Sequence, residues 1–229
     1  MYAHVKSDHP DVAKSYDMIG LLYKDKGMYD KALEYLQKTL AIRLKTLGPY
    51  HPDVARAYTN HGTVYSYKAE YDKALEYYQK SKVIKIEKLG EHHPDVAILY
   101  HNIGLVFKYK GEYDRALEHY HKAATITLKI HHKDHPDIAA CYSSIGNVHT
   151  AKGEYDKALE YHQKSLAIWL KQLGADHPLV ATSYNNIGQV RHKKGEHDKA
   201  LENFQKSLDI FIRLRPDHPS VATIYNNIG

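Results

Sequence analysis

Cysteine is almost absent from this chain. Cys141 is the only one in 229 residues, which excludes an intramolecular disulfide framework and a cysteine-based zinc ribbon. A lone thiol fits a reducing, cytoplasmic setting. Long apolar runs are missing too: nothing approaches about 18 consecutive apolar residues, so no transmembrane helix and no membrane partner is expected. The opening MYAHVKSDHP has neither a basic region followed by an apolar stretch nor a cleavage site, so no secretory signal is read from it. Charge imbalance is also small. Thirty-two Lys and Arg against 27 Asp and Glu give +5, and nucleic-acid binding would need that charge gathered on one face. No paired carboxylates, phosphate loop or nucleophile triad appears, so neither an enzyme nor a bound cofactor is expected. Phenylalanine and tryptophan are scarce, three and one, against 21 tyrosines. That imbalance is the first sign of repetition. At 43% hydrophobic and 26% charged, the chain has enough apolar surface to bury a core.

What is present repeats. His-Pro recurs at His9, His51, His93, His135, His177 and His218, in steps of 42, 42, 42, 42 and 41 residues. The stretch from Gly111 to Glu118 returns, with one exchange, from Gly153 to Glu160. A fixed period of this size means a solenoid whose units bury their apolar faces against their neighbours. The whole chain reads as one array, with units at 8–49, 50–91, 92–133, 134–175 and 176–216 and a partial unit at 217–229.

Each unit reads as two helices. Val12, Tyr16, Ile19 and Tyr23 share one face of a 3.6-residue period. Pro10 suits a first helical turn and Asp11 the positive end of the helix. Gly27 ends the helix where positive φ is needed. A second helix carries Tyr29, Ala32, Leu33, Leu36, Leu40, Leu44 and Leu47 inward, until Gly48. Gly20, Gly62, Gly104, Gly146 and Gly188 fall mid-helix, where glycine costs about 0.5–1 kcal/mol relative to alanine. Such a series implies a neighbouring helix passing very close. The expected partner surface is the series Ala32, Ala74, Ala116, Ala158 and Ala200.

Tyr16-x2-Ile19-Gly20-x2-Tyr23 followed by Ala32-x3-Leu36 resembles the tetratricopeptide repeat. The form with a long second helix, an LGxxHPDVA-type junction and Asn185-Asn186-Ile187-Gly188 resembles the repeats of kinesin light chain. The resemblance spans essentially the whole chain. It implies an all-α, right-handed superhelical solenoid of antiparallel helix pairs, five pairs plus a terminal helix. It also implies a non-catalytic, adaptor-like scaffold whose concave groove takes a short extended peptide. An architectural or sensor module of a larger signalling protein is the alternative. Departures from the pattern are Ala69 for the helix-ending glycine, and His131-His132 for Leu-Gly at the third junction. The first should strain its turn; the second should lose an apolar anchor.

Packing demands sameness between copies, whereas a ligand demands variation. The varying first-helix stripe includes Lys14, Asp17, Arg56, Thr63, His101, Leu105, Lys108, Asn147, Asn185 and Gln189, and should line the groove. Tyr67, Tyr109 and Lys193 extend it. Beside it runs a nearly constant polar ladder of Asn60, Asn102, Ser144, Asn186 and Asn227. An amide offers donors and an acceptor, so it suits pairing with peptide backbone of any sequence. Helix-to-helix bridging is the competing use. By resemblance to kinesin light chain, Asn60, Asn102 and Asn186 would clamp the main chain. Arg56, Lys108 and Lys193 would then draw acidic side chains.

Other features have plainer readings. His131, His132 and His135, with His92 and His93, are dense enough to hold zinc or nickel adventitiously. Most belong to the repeated junction, so capping is expected and no metal site. Cys141 occupies a position that elsewhere holds Ser15, Ala57, Leu99 and Ser183, so it reads as a structural thiol. Glu34–Lys38 and its four repeats are i, i+4 pairs on a solvated face. The series Arg43, Lys85, Thr127, Trp169, Phe211 ends aromatic: Trp169 and Phe211 either pack under the second helices or form an apolar docking patch. Val221, Ile224, Tyr225 and Ile228 lack a covering second helix, so that face is expected either to be sheltered by another chain, with self-association one route, or to limit solubility.

Overall fold

The computed structural model describes residues 9–214 and 219–228, which hold eleven helices and no strand. The chain divides into two compact units, Met1–Glu112 and Tyr113–Gly229. The first contains α1 (Pro10–Asp25), α2 (Tyr29–Leu47), α3 (Pro52–Tyr67), α4 (Tyr71–Leu89) and α5 (Pro94–Tyr109). The second contains α6 (Tyr113–Ile130), α7 (Pro136–Lys152), α8 (Tyr155–Leu173), α9 (Pro178–Lys193), α10 (His197–Leu214) and α11 (Pro219–Ile228). Within each unit, each helix packs on the one before it and the one after it.

The junction histidine has a structural task. His9, His51, His93, His135 and His177 each sit in extended backbone, and their Nδ1 accepts the amide N–H two residues on at 3.1–3.2 Å. The imidazole thus replaces the side-chain oxygen of an ordinary helix cap. Proline follows at the first helical position, where its missing N–H costs nothing.

At the other end of the first helix, Gly27 adopts φ +72° as expected, and Ala69 holds the same left-handed turn at φ 59°. The mid-helix glycines are pressed by a different group from the one expected. A Cβ on Gly62 would lie 2.6 Å from the Tyr78 ring, and one on Gly146 2.8 Å from His162. The alanine series supplies only a backbone carbonyl, Ala74 O at 3.1 Å from that position on Gly62. Leu36, Tyr78, His162 and Phe204, one turn beyond Ala32, Ala74, Ala158 and Ala200, lie across Gly20, Gly62, Gly146 and Gly188.

The core alternates with these contacts. In the first unit, Leu40, Val54, Ala55, Ala57 and Ile84 form one cluster. In the second, Trp169 and Phe211 are buried with Ile138, Val180, Phe204, Leu208 and Ile224. The docking-patch reading of Trp169 and Phe211 is therefore corrected: they are 8% and 4% exposed, as buried as Arg43, Lys85 and Thr127 in the same column. The column changes chemistry while staying inside. Its charged member Arg43 is matched by Asp17, whose carboxylate lies 2.9 Å from the guanidinium. Lys85 reaches the Asp95 carboxylate at 3.5 Å, and burial lowers its pKa.

Ile224 is 1% exposed within the second unit's core, while Tyr225 is 54% exposed. The side chains of Val221 and Ile228 lie outside the described residues. Cys141 is buried, and burial pushes its thiol up to about 11, which suits a structural role.

Candidate functional site

A groove of about 290 Å³ opens in the first unit between α3, the start of α4, and α5. Thr63, Ser66 and Tyr67 form one wall, Asn102, Leu105 and Tyr109 the other, and Ala69, Tyr71 and Tyr78 complete the lining. The local sequence explains the space. Ser66 stands where the first and third repeats carry Lys24 and Lys108, so a short side chain leaves room on the middle rung.

The groove is aromatic but not greasy. Tyr71 stacks on Tyr109 with centroids 6.2 Å apart, and Tyr29 on Tyr67 at 6.1 Å. Tyr78 is 2% exposed, and its hydroxyl lies 3.2 Å from Thr63 Oγ1. Burial pushes that phenol up to about 12, against the opposing effect of the Thr63 hydrogen bond. The ammonium of Lys108 stands 5.5 Å from the Tyr109 ring centre. Among the described residues it has no carboxylate partner, and Asn102's side-chain amide has no hydrogen-bond partner.

Five residues singled out from sequence, Thr63, Tyr67, Asn102, Leu105 and Tyr109, thus share one cavity. Others do not join it. Asp17 is buried and held by Arg43, so it is not a groove residue. Asn60 donates its amide to Asp17 at 2.9 Å, a bridge between consecutive first helices. Asn227 does the same to Asn185 at 3.0 Å. Helix bridging is therefore the use at these two rungs, because the ladder residue of one repeat meets the preceding residue type of the repeat before. Lys14 and Arg56 are exposed and lie near Asp11 and Asp53, at 3.4 and 3.0 Å. His101 is half-buried and its pKa is lowered by burial. In the second unit Ser144, Asn147, Asn185, Asn186 and Gln189 are half-buried and Lys193 is exposed.

Sequence reasoning placed Ser66 on the varying stripe but missed Ala69, Tyr71 and Tyr78 as groove lining. The signal lies 38 residues apart rather than 42. Tyr29 meets Tyr67 and Tyr71 meets Tyr109 at that offset, and so do Lys68 with Asp30 and Lys110 with Asp72, both at 2.7 Å. Lys152–Asp114 and Lys194–Asp156, both 2.6 Å, continue the ladder in the second unit. Hydrogen bonds to Asp30 and Glu70 raise the Lys68 pKa. Bonds from Lys157, Lys152 and His149 pull Glu154 down to about 2.

Helix pairs packed one on the next, with the same caps and core positions recurring from repeat to repeat, define a helical-repeat scaffold. The family profile of the tetratricopeptide repeat matches residues 11–82, 70–129, 95–151, 137–213 and 184–229, and the chain belongs to that family. Among solved structures it is similar to the nearly identical TPR-like repeats assigned to a Podosopora anserina kinesin light chain, at TM-score 0.75 and 22% identity. That match covers 90% of this chain and 98% of the other. BtubC (BKLC) from P. vanneervenii matches at TM-score 0.79 and 22% identity, over 92% of this chain and 84% of the other. Aspartyl phosphate phosphatase F from Bacillus subtilis matches at 0.80 and 16%, over 93% of this chain and 53% of the other. At these identities the likeness concerns the fold. No curated protein sequence matches the chain closely enough to count as a relative.

Proposed function

We propose that the chain is a non-catalytic, adaptor-like scaffold that takes a short extended peptide in the α3–α5 groove, in the cytoplasm. One observation carries this reading: Asn102, half-buried on the groove wall, has an amide left unused, whereas Asn60 and Asn227 donate theirs to neighbouring first helices. An idle amide beside tyrosine faces suits main-chain pairing with side-chain burial alongside. Lys108 adds an unneutralised cation at the rim, which favours a peptide carrying an acidic residue there. Glu/Lys pairs such as Glu76–Lys80, at 2.6 Å, neutralise the exposed face of the second helices, which argues against a nucleic-acid partner.

A peptide-array screen tests the reading. Asn102→Ala should weaken retained peptides about tenfold, the worth of one hydrogen bond with its alignment, at unchanged helical content. Asn60→Ala should lower stability instead. Peptide binding indifferent to Asn102 would leave the alternative, an architectural or sensor module of a larger protein or a self-associating array, in which all the amides serve packing.

A further inference from the structure

The third junction, between α6 and α7, departs from the other full junctions. Elsewhere the second helix ends in Leu-Gly, and Gly48, Gly90 and Gly174 turn the chain at φ 80–85°. Here His131-His132 stands in that place. Neither histidine adopts positive φ, and α6 stops at 18 residues where α2, α4 and α8 run to 19. His131 then lies outside the helix, its N–H bonded to Thr127 O at 2.9 Å. A tight turn, closed by His135 N–H to His132 O at 2.9 Å, folds the next cap residue back over it. The two imidazoles stack with centroids 3.7 Å apart. Replacing leucine is not explained by packing, because Leu47 and Leu173 at the sister junctions are 40% and 37% exposed. The apolar anchor expected there is slight.

We infer that this junction is a divalent transition-metal site, suited to Zn²⁺, with His131, His135 and Asp137 as ligands. One nitrogen from each histidine and one carboxylate oxygen already lie within 4.8 Å of one another. Two imidazoles and a carboxylate are donors zinc accepts, with water filling the fourth position. Zinc bonds of about 2 Å hold tetrahedral ligand atoms roughly 3.3 Å apart, so the rings must turn about their χ torsions out of the stack to aim their lone pairs at one ion, and His135 gives up the Asp137 N–H bond of its cap because a neutral imidazole has one lone pair. Both histidines are half-buried and Asp137 is exposed, which leaves those torsions room. This departs from the expectation, drawn from sequence alone, that the histidines only cap. Bound metal would tie the end of α6 to the start of α7.

The array carries its own control. His9–Asp11 and His51–Asp53 repeat the His-x-Asp arrangement with nitrogen–oxygen distances of 3.4 and 3.8 Å, but the position four residues before each histidine is Val5 or Leu47 rather than histidine. Calorimetric titration of the untagged chain with Zn²⁺ should show one equivalent bound at about micromolar affinity. His131→Leu, which installs the residue of the sister junctions and keeps the His135 cap, should weaken it at least about tenfold. Asp137→Asn should do likewise, with unchanged circular dichroism for both. Equal binding by wild type and both variants would mean an adventitious ion only, and absence of binding up to millimolar Zn²⁺ would equally overturn the site.

Discussion

Ala69 holds a conformation that alanine resists. A left-handed non-glycine residue costs about 1–2 kcal/mol, offset in part by the smaller entropy of the unfolded alanine chain, about 0.4–1 kcal/mol. Ala69→Gly is therefore expected to raise stability by up to about 1 kcal/mol in denaturant titration; a loss would show that the methyl group packs favourably against the groove. His162 carries a second residue-scale consequence. Its ring lies on Gly146, its Nε2 is buried without a partner, and burial holds its pKa down to about 4. The unfolded imidazole takes its proton near 6.5, so between pH 6.5 and 4 the unfolded state binds more protons. Stability should be retained above pH 6.5 and fall by up to about 3 kcal/mol on acidification to pH 4. His61, 2% exposed and likewise lowered by burial, pulls in the same direction. His162→Tyr, the residue at positions 78 and 120, should flatten the acid limb of a pH–stability curve.

At the scale of the element, α1, α3, α5, α7 and α9 are each started by an imidazole. His51→Ala removes the acceptor for the Asp53 N–H at 3.1 Å and should cost about 1 kcal/mol, with His51→Asn restoring most of it. Equal stability of both variants would mean that proline alone starts the helix. The helix boundaries were legible beforehand because His-Pro-Asp and the terminal glycines act on backbone within a few residues. The groove was only half legible. Thr63 and Leu105 follow from the rule that ligand walls vary between copies, and Asn102 from the constant amide ladder beside them. Tyr71 and Tyr78 belong to second helices, and nothing in a single repeat says how far the next first helix stands from them. Asn60 and Asn102 look alike in sequence, yet one is consumed by Asp17 because only the first repeat places a carboxylate opposite.

For the whole molecule, the single tryptophan is a reporter. Trp169, buried in the second unit, should emit as a buried indole and resist iodide quenching in the isolated chain. Solenoids transmit stability only between neighbouring repeats. Denaturation followed by Trp169 fluorescence and by circular dichroism should therefore give separated midpoints; coincident curves would make the array one cooperative block. The sequence by itself determined the period, the helix pairs, their caps and which series must be buried, because these rest on local backbone chemistry and on the burial of periodic apolar faces. Only the tertiary structure decided which polar side chains remain available to a ligand. That choice depends on distances between helices from different repeats, where one or two ångströms separate a satisfied amide from an idle one.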